Sequence, residues 1–277
     1  MITSSTGDDR PVVLITGCSG GIGEATAMHF VKEGYRVYAS MRNRSDISKR
    51  LKETLMGGES HGVLVLDVDD CVSVKSAINH LWLETRRIDV LVNNAGISTI
   101  SSVEEIDMTE VKAVFETNVF GVLRVTQEVL PLMRIQGGGT VVNISSVAGR
   151  LVTAGHGIYA ASKHALEAIS ESLAIETGRF GVRVILIEPG FISTSILNKA
   201  DSISLGDTVY LEHLTNLVAM YKEAQMKADS PQVVAECVLN AVNDPNHRFR
   251  YVVGSGAQHT LNERKSLTDE EWINKNL

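Results

Sequence analysis

Seven short runs rich in β-branched and other apolar residues, at 12–15, 36–40, 63–66, 89–92, 140–144, 183–187 and 251–253, alternate with segments whose apolar residues recur at helical spacing. Nothing else in the chain narrows the fold as much. Runs such as "VVLI" and "VILI" are almost continuously apolar, which is the pattern of strands buried on both faces in a parallel sheet covered by helices. The expected architecture is α/β: one doubly wound domain around a central, mostly parallel, seven-stranded sheet with helices on both faces. No linker or repeat interrupts the alternation, so one domain is expected over residues 11–262. Residues 1–10 read as a flexible lead-in, and 263–277 as a tail too polar to belong to the core.

Charge and cysteine usage remove several function classes. A net charge of -7, with 33 acidic against 26 basic residues, lacks the basic footprint of a nucleic-acid binder. Cys18, Cys71 and Cys237 are far apart and without metal-ligand spacing, which suits a reducing compartment and gives no reason to expect a metal. The opening "MITSSTGDDRP" has no apolar signal region, and the apolar runs are too short to span a bilayer. A cytoplasmic protein without membrane insertion is expected.

The first run opens into "VVLITGCSGGIGEA", a strand followed by Gly17, Gly20, Gly21 and Gly23 and then by the start of a helix. Glycine permits the tight turn and a close backbone approach to a pyrophosphate, while a helix start offers unpaired N–H groups and the positive end of its dipole. Glycines also end strands for structural reasons alone; the strand before and the helix after are what point to a dinucleotide. Gly17, Ser19, Gly21, Ile22 and Gly23 are the candidate contacts. At the end of the second run, "VYASMRN" offers no carboxylate to repel a 2′-phosphate, and Arg42 can pair with one, so NADP(H) is expected over NAD(H). The plainer alternative is that Arg42 is a solvated loop cation.

In "YAASK", Tyr159 and Lys163 stand one helical turn apart on one face. An ammonium beside a phenol stabilises the phenolate, and the expectation is that Lys163 lowers the pKa of Tyr159 from its usual ~10 toward the range useful for proton transfer. Each residue alone could be structural. Behind a dinucleotide cradle, the pair reads as a general acid for carbonyl reduction and, in reverse, a base for alcohol oxidation.

"TGCSGGIG" (16–23), "NNAG" (93–96), "NISS" (143–146), "YAASK" (159–163) and "PGFIST" (189–194) follow in order, and together they resemble the short-chain dehydrogenase/reductase family over roughly residues 11–255. "TGCSGGIG" and "VYASMR" further resemble its branch of 17-beta-hydroxysteroid and retinol dehydrogenases. The resemblance implies a Rossmann domain and an oxidoreductase acting on CH–OH groups. It implies that Ser146 hydrogen-bonds the substrate oxygen beside Tyr159, and that Asn118 holds a water relaying protons to Lys163. Alternation along a strand allows only one of Ser145 and Ser146 to face the cofactor, and the family's spacing selects Ser146. By the same resemblance Asp67 meets the adenine, Asn93 and Gly96 line the pyrophosphate and ribose edge, Ile192 and Thr194 contact the carboxamide after Pro189 and Gly190, and Lys163 reaches the nicotinamide ribose. Asn93 has an alternative role in holding the sheet centre. Family members assemble as homodimers or homotetramers through two long helices, here about 108–134 and 159–179.

Residues 195–229 leave the strand/helix alternation, and in this family such an insertion covers the substrate. Leu211, Leu214, Leu217, Val218 and Tyr221 recur there at helical spacing. An apolar lid suggests a lipophilic ketone such as a steroid or retinoid, although the same stripe could merely pack on the domain. His156, three residues before Tyr159, is a polar candidate for substrate contact without a settled role. The competing reading is a catalytically silent dinucleotide-binding regulator or scaffold with the same fold.

Overall fold

The structure is a computed structural model that describes residues 8–57, 61–194 and 208–277. The first seven residues of the expected lead-in and residues 195–207 of the expected lid lie outside the described residues. The strands are β1 Val12–Ile15, β2 Arg36–Met41, β3 Gly62–Val65, β4 Val90–Asn93, β5 Gly139–Ile144, β6 Val182–Pro189 and β7 Arg250–Val253. They form one seven-stranded sheet in the order β3-β2-β1-β4-β5-β6-β7. Every pairing is parallel, so the sheet is fully rather than mostly parallel. The order reverses between β1 and β4, which opens a crevice at their carboxyl ends.

Helices α1 Gly21–Lys32, α2 Lys49–Met56 and α8 Pro231–Val242 lie against one face, where Phe30, Leu51, Val234 and Val238 pack on Val13, Ile15 and Val92. Helix α3 Cys71–Thr85 and helix α5 Val122–Gln136 cover the other face, where Ile78, Leu81, Val125, Val129 and Met133 pack on Leu14 and Leu91. Alternate residues of β1 thus serve opposite cores, as the period of a strand dictates. Helix α4 Met108–Phe115 runs into α5 through a wide π-type turn at Glu116–Gly121, a local geometry that recurs at functional sites. Helix α6 Gly157–Thr177 packs beside it, and α7 Leu211–Met226 carries the described part of the lid.

The carboxyl-terminal residues correct the sequence reading. They form α9 Ala257–Ser266 and α10 Asp269–Lys275, the latter opened by a reciprocal capping box between Thr268 and Glu271. Trp272 is buried with Leu151 and Leu261, and its indole N–H donates to the Val152 carbonyl at 3.0 Å. One buried tryptophan anchors an otherwise polar segment. Among the described residues no helix is long and apolar enough to cross a membrane, and no cluster of side chains has the make-up of a metal site.

Candidate active site

The glycine turn between β1 and α1 is fixed from two sides. Gly17 and Gly21 adopt the left-handed region, at φ +72 and +58, which L side chains avoid. The Cys18 N–H donates to the Ser40 carbonyl at 2.8 Å, tying the turn to the end of β2 and placing exposed Arg42 at its rim. Asn94 donates from Nδ2 to the carbonyls of Thr16 and Gly17 at 2.8 and 3.0 Å, and Thr16 Oγ1 accepts from the N–H groups of Asn94 and Ala95. A Cβ on Gly23 would stand 2.4 Å from the Gly17 carbonyl oxygen and 2.5 Å from Asn94 Nδ2. Thr194 closes the far side, its Cγ2 standing 3.2 Å from where a Cβ of Gly21 would be. A cleft of about 460 Å³ opens there, with Ser19, Gly20, Gly21, Ser193 and Thr194 among its walls. A backbone-lined hollow at a helix start fits a pyrophosphate. Gly23→Ala is expected to lower stability by about 1–3 kcal/mol and to weaken dinucleotide binding; thermal melts and a cofactor titration check this, and no change in either would mean the turn can yield.

The Asn93 and Asn94 amides have different partners. Asn93 is buried, its Nδ2 donating to Thr126 Oγ1 at 3.0 Å and to Asn143 Oδ1 at 2.9 Å. The Asn93 amide holds the sheet centre, the alternative left open above, and Asn94 is the asparagine on the glycine turn. Gly96 lies where a Cβ would meet Asn118 Oδ1 at 3.3 Å and Lys163 Nζ at 3.8 Å. Asp67 sits at the carboxyl end of β3, its Oδ1 accepting from the Asp69 N–H at 3.1 Å. Ile192 is buried in a parallel bridge to Asp229, and the Gly190 N–H donates to the Val253 carbonyl at 2.9 Å, so Pro189 and Gly190 lead β6 into the site.

Ser146, Tyr159, Lys163 and Asn118 converge beside this turn. Ser146 follows β5 by two residues, its Oγ accepting from the Ala148 N–H at 3.1 Å and donating to the Pro189 carbonyl at 3.5 Å, and it lies close enough to pull the Tyr159 phenol toward a lower pKa. Ser145, on the opposite side, is buried with its hydroxyl unpartnered, which agrees with selecting Ser146. Lys163 Nζ donates to the Ile144 carbonyl at 2.9 Å and stands 5.8 Å from the centre of the Tyr159 ring. Asn118 lies within the π-type turn, where its amide exchanges hydrogen bonds with the Ile97 backbone, both at 2.9 Å, and donates to Ser162 Oγ at 3.0 Å. A buried amide with this many partners clamps the β4 loop against α6.

The electrostatics differ from the expectation for the tyrosine. Burial pushes the Tyr159 phenol up to about 12, outweighing the Ser146 hydrogen bond that pulls it down, with Tyr221 adding to the rise. Burial also lowers Lys163 to about 8, against a raising influence from Glu167. Both groups are drawn toward their neutral forms because burial penalises the charged ones. Tyr159 is a protonated donor at neutral pH rather than an acidified phenol.

An aromatic wall stands over Tyr159. The imidazole of His156 is 5.4 Å from the Tyr159 ring and 4.7 Å from that of Tyr221, which in turn meets Phe191 edge-on at 5.4 Å. Of the expected lid stripe, Leu214, Leu217 and Tyr221 are buried with Ile100 and Tyr210, whereas Leu211 is exposed. A Cβ on Gly155, at φ +71, would strike Leu217 at 2.1 Å, so α7 sits directly on the loop that leads into α6. The sequence placed Tyr221 in the lid stripe but gave no sign of its contact with His156, 65 residues away.

Comparison with known proteins places these features. Residues 11–203 match the family model described as short chain dehydrogenase. The chain is similar to 17-beta-hydroxysteroid dehydrogenase type 1 of Mus musculus, at 35% identity over 88% of this chain and 73% of that protein. It is also similar to 3-ketodihydrosphingosine reductase of Bacteroides thetaiotaomicron, at 30% identity over 96% of this chain and 94% of the relative. Among solved structures, an actinorhodin polyketide ketoreductase variant with NADPH superposes with a TM-score of 0.78 at 28% identity, covering 90% of this chain and 98% of that one. A short chain dehydrogenase/reductase from Burkholderia phymatum in complex with NAD shares the fold at a TM-score of 0.81 and 23% identity, covering 94% and 95%.

Proposed function

The chain belongs to the short chain dehydrogenase family and is an oxidoreductase of CH–OH or carbonyl groups, and from that premise we propose that it reduces a lipophilic ketone or aldehyde with NADP(H), Tyr159 being the general acid. One observation carries the proposal: Tyr159, with Ser146 close by and the buried Lys163 ammonium 5.8 Å from its ring, stands beside the glycine turn. When bound, the nicotinamide supplies or accepts the hydride. Ser146 and Tyr159 hold the substrate oxygen between two hydroxyls, and Tyr159 gives its phenolic proton to the oxygen as charge develops there. Below about pH 8 the ammonium of Lys163 stabilises the phenolate left behind. Oxidation of an alcohol reverses these proton movements.

The residue set argues for turnover over a silent regulator, since cofactor binding alone does not need Ser146 directed at Tyr159. Arg42 at the rim supports the preference for the 2′-phosphate. Catalytic efficiency is expected to be higher with NADPH than with NADH, and Arg42→Ala is expected to cut that ratio about tenfold. Steady-state kinetics with both cofactors decide this; a wild-type preference for NADH would overturn it. Leu214, Leu217, Phe191 and Tyr221 support a lipophilic substrate, in keeping with relatives named for a hydroxysteroid and a ketosphingoid. Assembly as a homodimer or homotetramer through α4, α5 and α6 is part of the proposal; exposed Phe120, in the π-type turn joining α4 to α5, and exposed Ile175 on α6 support it.

A further inference from the structure

We propose that His156 is a second polar anchor for the substrate, donating from Nε2–H to an oxygen that the ketone carries beyond its reacting carbonyl. The inference rests on the reductase reading and adds the chemical class of the substrate: an oxygenated ketone, such as a hydroxyketone, on an apolar frame.

Position comes first. His156 precedes α6 directly, and its carbonyl accepts from the Ala160 N–H at 2.8 Å, so its backbone is locked to the helix that carries Tyr159. Three residues separate the two side chains, which places them on one helical face, and their rings lie 5.4 Å apart. A group held on His156 is therefore about one turn from the proton-donating hydroxyl.

Chemistry comes second. The Tyr221 hydroxyl and His156 Nδ1 are 2.6 Å apart. A phenol is the better donor of the two and an imidazole nitrogen the better acceptor, so the tyrosine donates and the ring proton resides on Nε2. Burial lowers His156 to about 4, so the ring is neutral at working pH and the tautomer is fixed. Among the described residues no hydrogen bond is recorded at Nε2, and His156 keeps 9% of its surface exposed. A neutral donor that is held in place and still accessible, on an otherwise aromatic and aliphatic wall, suits a neutral oxygen acceptor. A site built around such a donor discriminates against analogues that lack the acceptor.

The test compares cyclohexanone and 1-decalone with their 2-, 3- and 4-hydroxy counterparts, measuring kcat and KM for the wild type, His156→Phe, His156→Gln and Tyr221→Phe. The expected result is a KM about tenfold lower for at least one hydroxyketone than for its parent. His156→Phe removes this difference, His156→Gln, which keeps an N–H donor, retains part of it, and Tyr221→Phe falls between. NADPH titration and thermal melts establish that each variant is folded. Equal KM values across each set in the wild type, or a preference that survives in His156→Phe, overturn the inference while leaving the reductase reading standing. Failure of the wild type to oxidise NADPH with any ketone, despite binding it, would instead count against the reductase reading and remove the basis for this one.

Discussion

Tyr159→Phe is expected to lower turnover by at least ~10²-fold while leaving the affinity for NADPH and the melting temperature close to those of the wild type. The size follows from removing a positioned general acid. The selectivity follows from what the ring does apart from its hydroxyl. It packs 5.4 Å from the His156 ring and 5.8 Å from Lys163 Nζ, and phenylalanine keeps both contacts. Only the hydroxyl and its transferable proton are lost. Single-turnover oxidation of NADPH measures the chemical step, and cofactor fluorescence measures binding. Turnover within a few-fold of the wild type would remove Tyr159 from the mechanism, and a wild type that binds NADPH but turns over no carbonyl would favour the silent regulator.

The parts of the molecule legible in its sequence are those written in local patterns. Short apolar runs located every strand, because a strand buried on both faces has few polar positions. The glycine turn and the Tyr159/Lys163 pair are spaced by backbone geometry, so they survive translation into three dimensions unchanged. What sequence did not show depends on burial and on distant neighbours. That the Asn93 amide joins Thr126 and Asn143 depends on residues 33 and 50 positions away, which the local motif does not show. The direction of the Tyr159 shift was misread because the pairing with Lys163 is visible in the chain, whereas the burial that pushes the phenol up is not. Trp272 lies in a stretch so polar that its docking beside Leu151 could be suspected only from the Thr268/Glu271 capping pattern. Tyr221 and His156 come together only when α7 closes on the loop before α6.

Arg250→Ala is expected to destabilise the protein by about 3 kcal/mol, although Arg250 touches neither the cradle nor Tyr159. Its guanidinium meets Glu167 Oε2 at 2.9 Å, Glu171 Oε2 at 2.9 Å and Glu188 Oε1 at 3.3 Å, gathering carboxylates from α6 and β6. Glu188 is fully buried and keeps Arg150 at 3.2 Å, but Glu167 is buried with its Oε1 already unpartnered. Loss of Arg250 removes the salt bridge of the buried Glu167 carboxylate and leaves it only the longer-range attraction of Lys163. Such an uncompensated buried charge costs several kcal/mol; the 30% exposure of the Arg250 side chain admits some water and sets the value at the lower end. The loss should also depend on pH. Burial and Glu167 raise the pKa of Glu188 above its ordinary value, against Arg150 and Arg250, which lower it. Removing Arg250 raises it further, and a carboxyl raised in the folded state contributes stability that is present at low pH and lost as pH climbs through the folded value. The gap between wild type and variant should therefore be wider at pH 8 than at pH 5 in urea denaturation. Adding Glu167→Met to Arg250→Ala removes the stranded charge and should recover part of the loss. If the double variant is no more stable than the single one, or the gap does not change with pH, the cluster behind Lys163 is held by packing and not by charge balance.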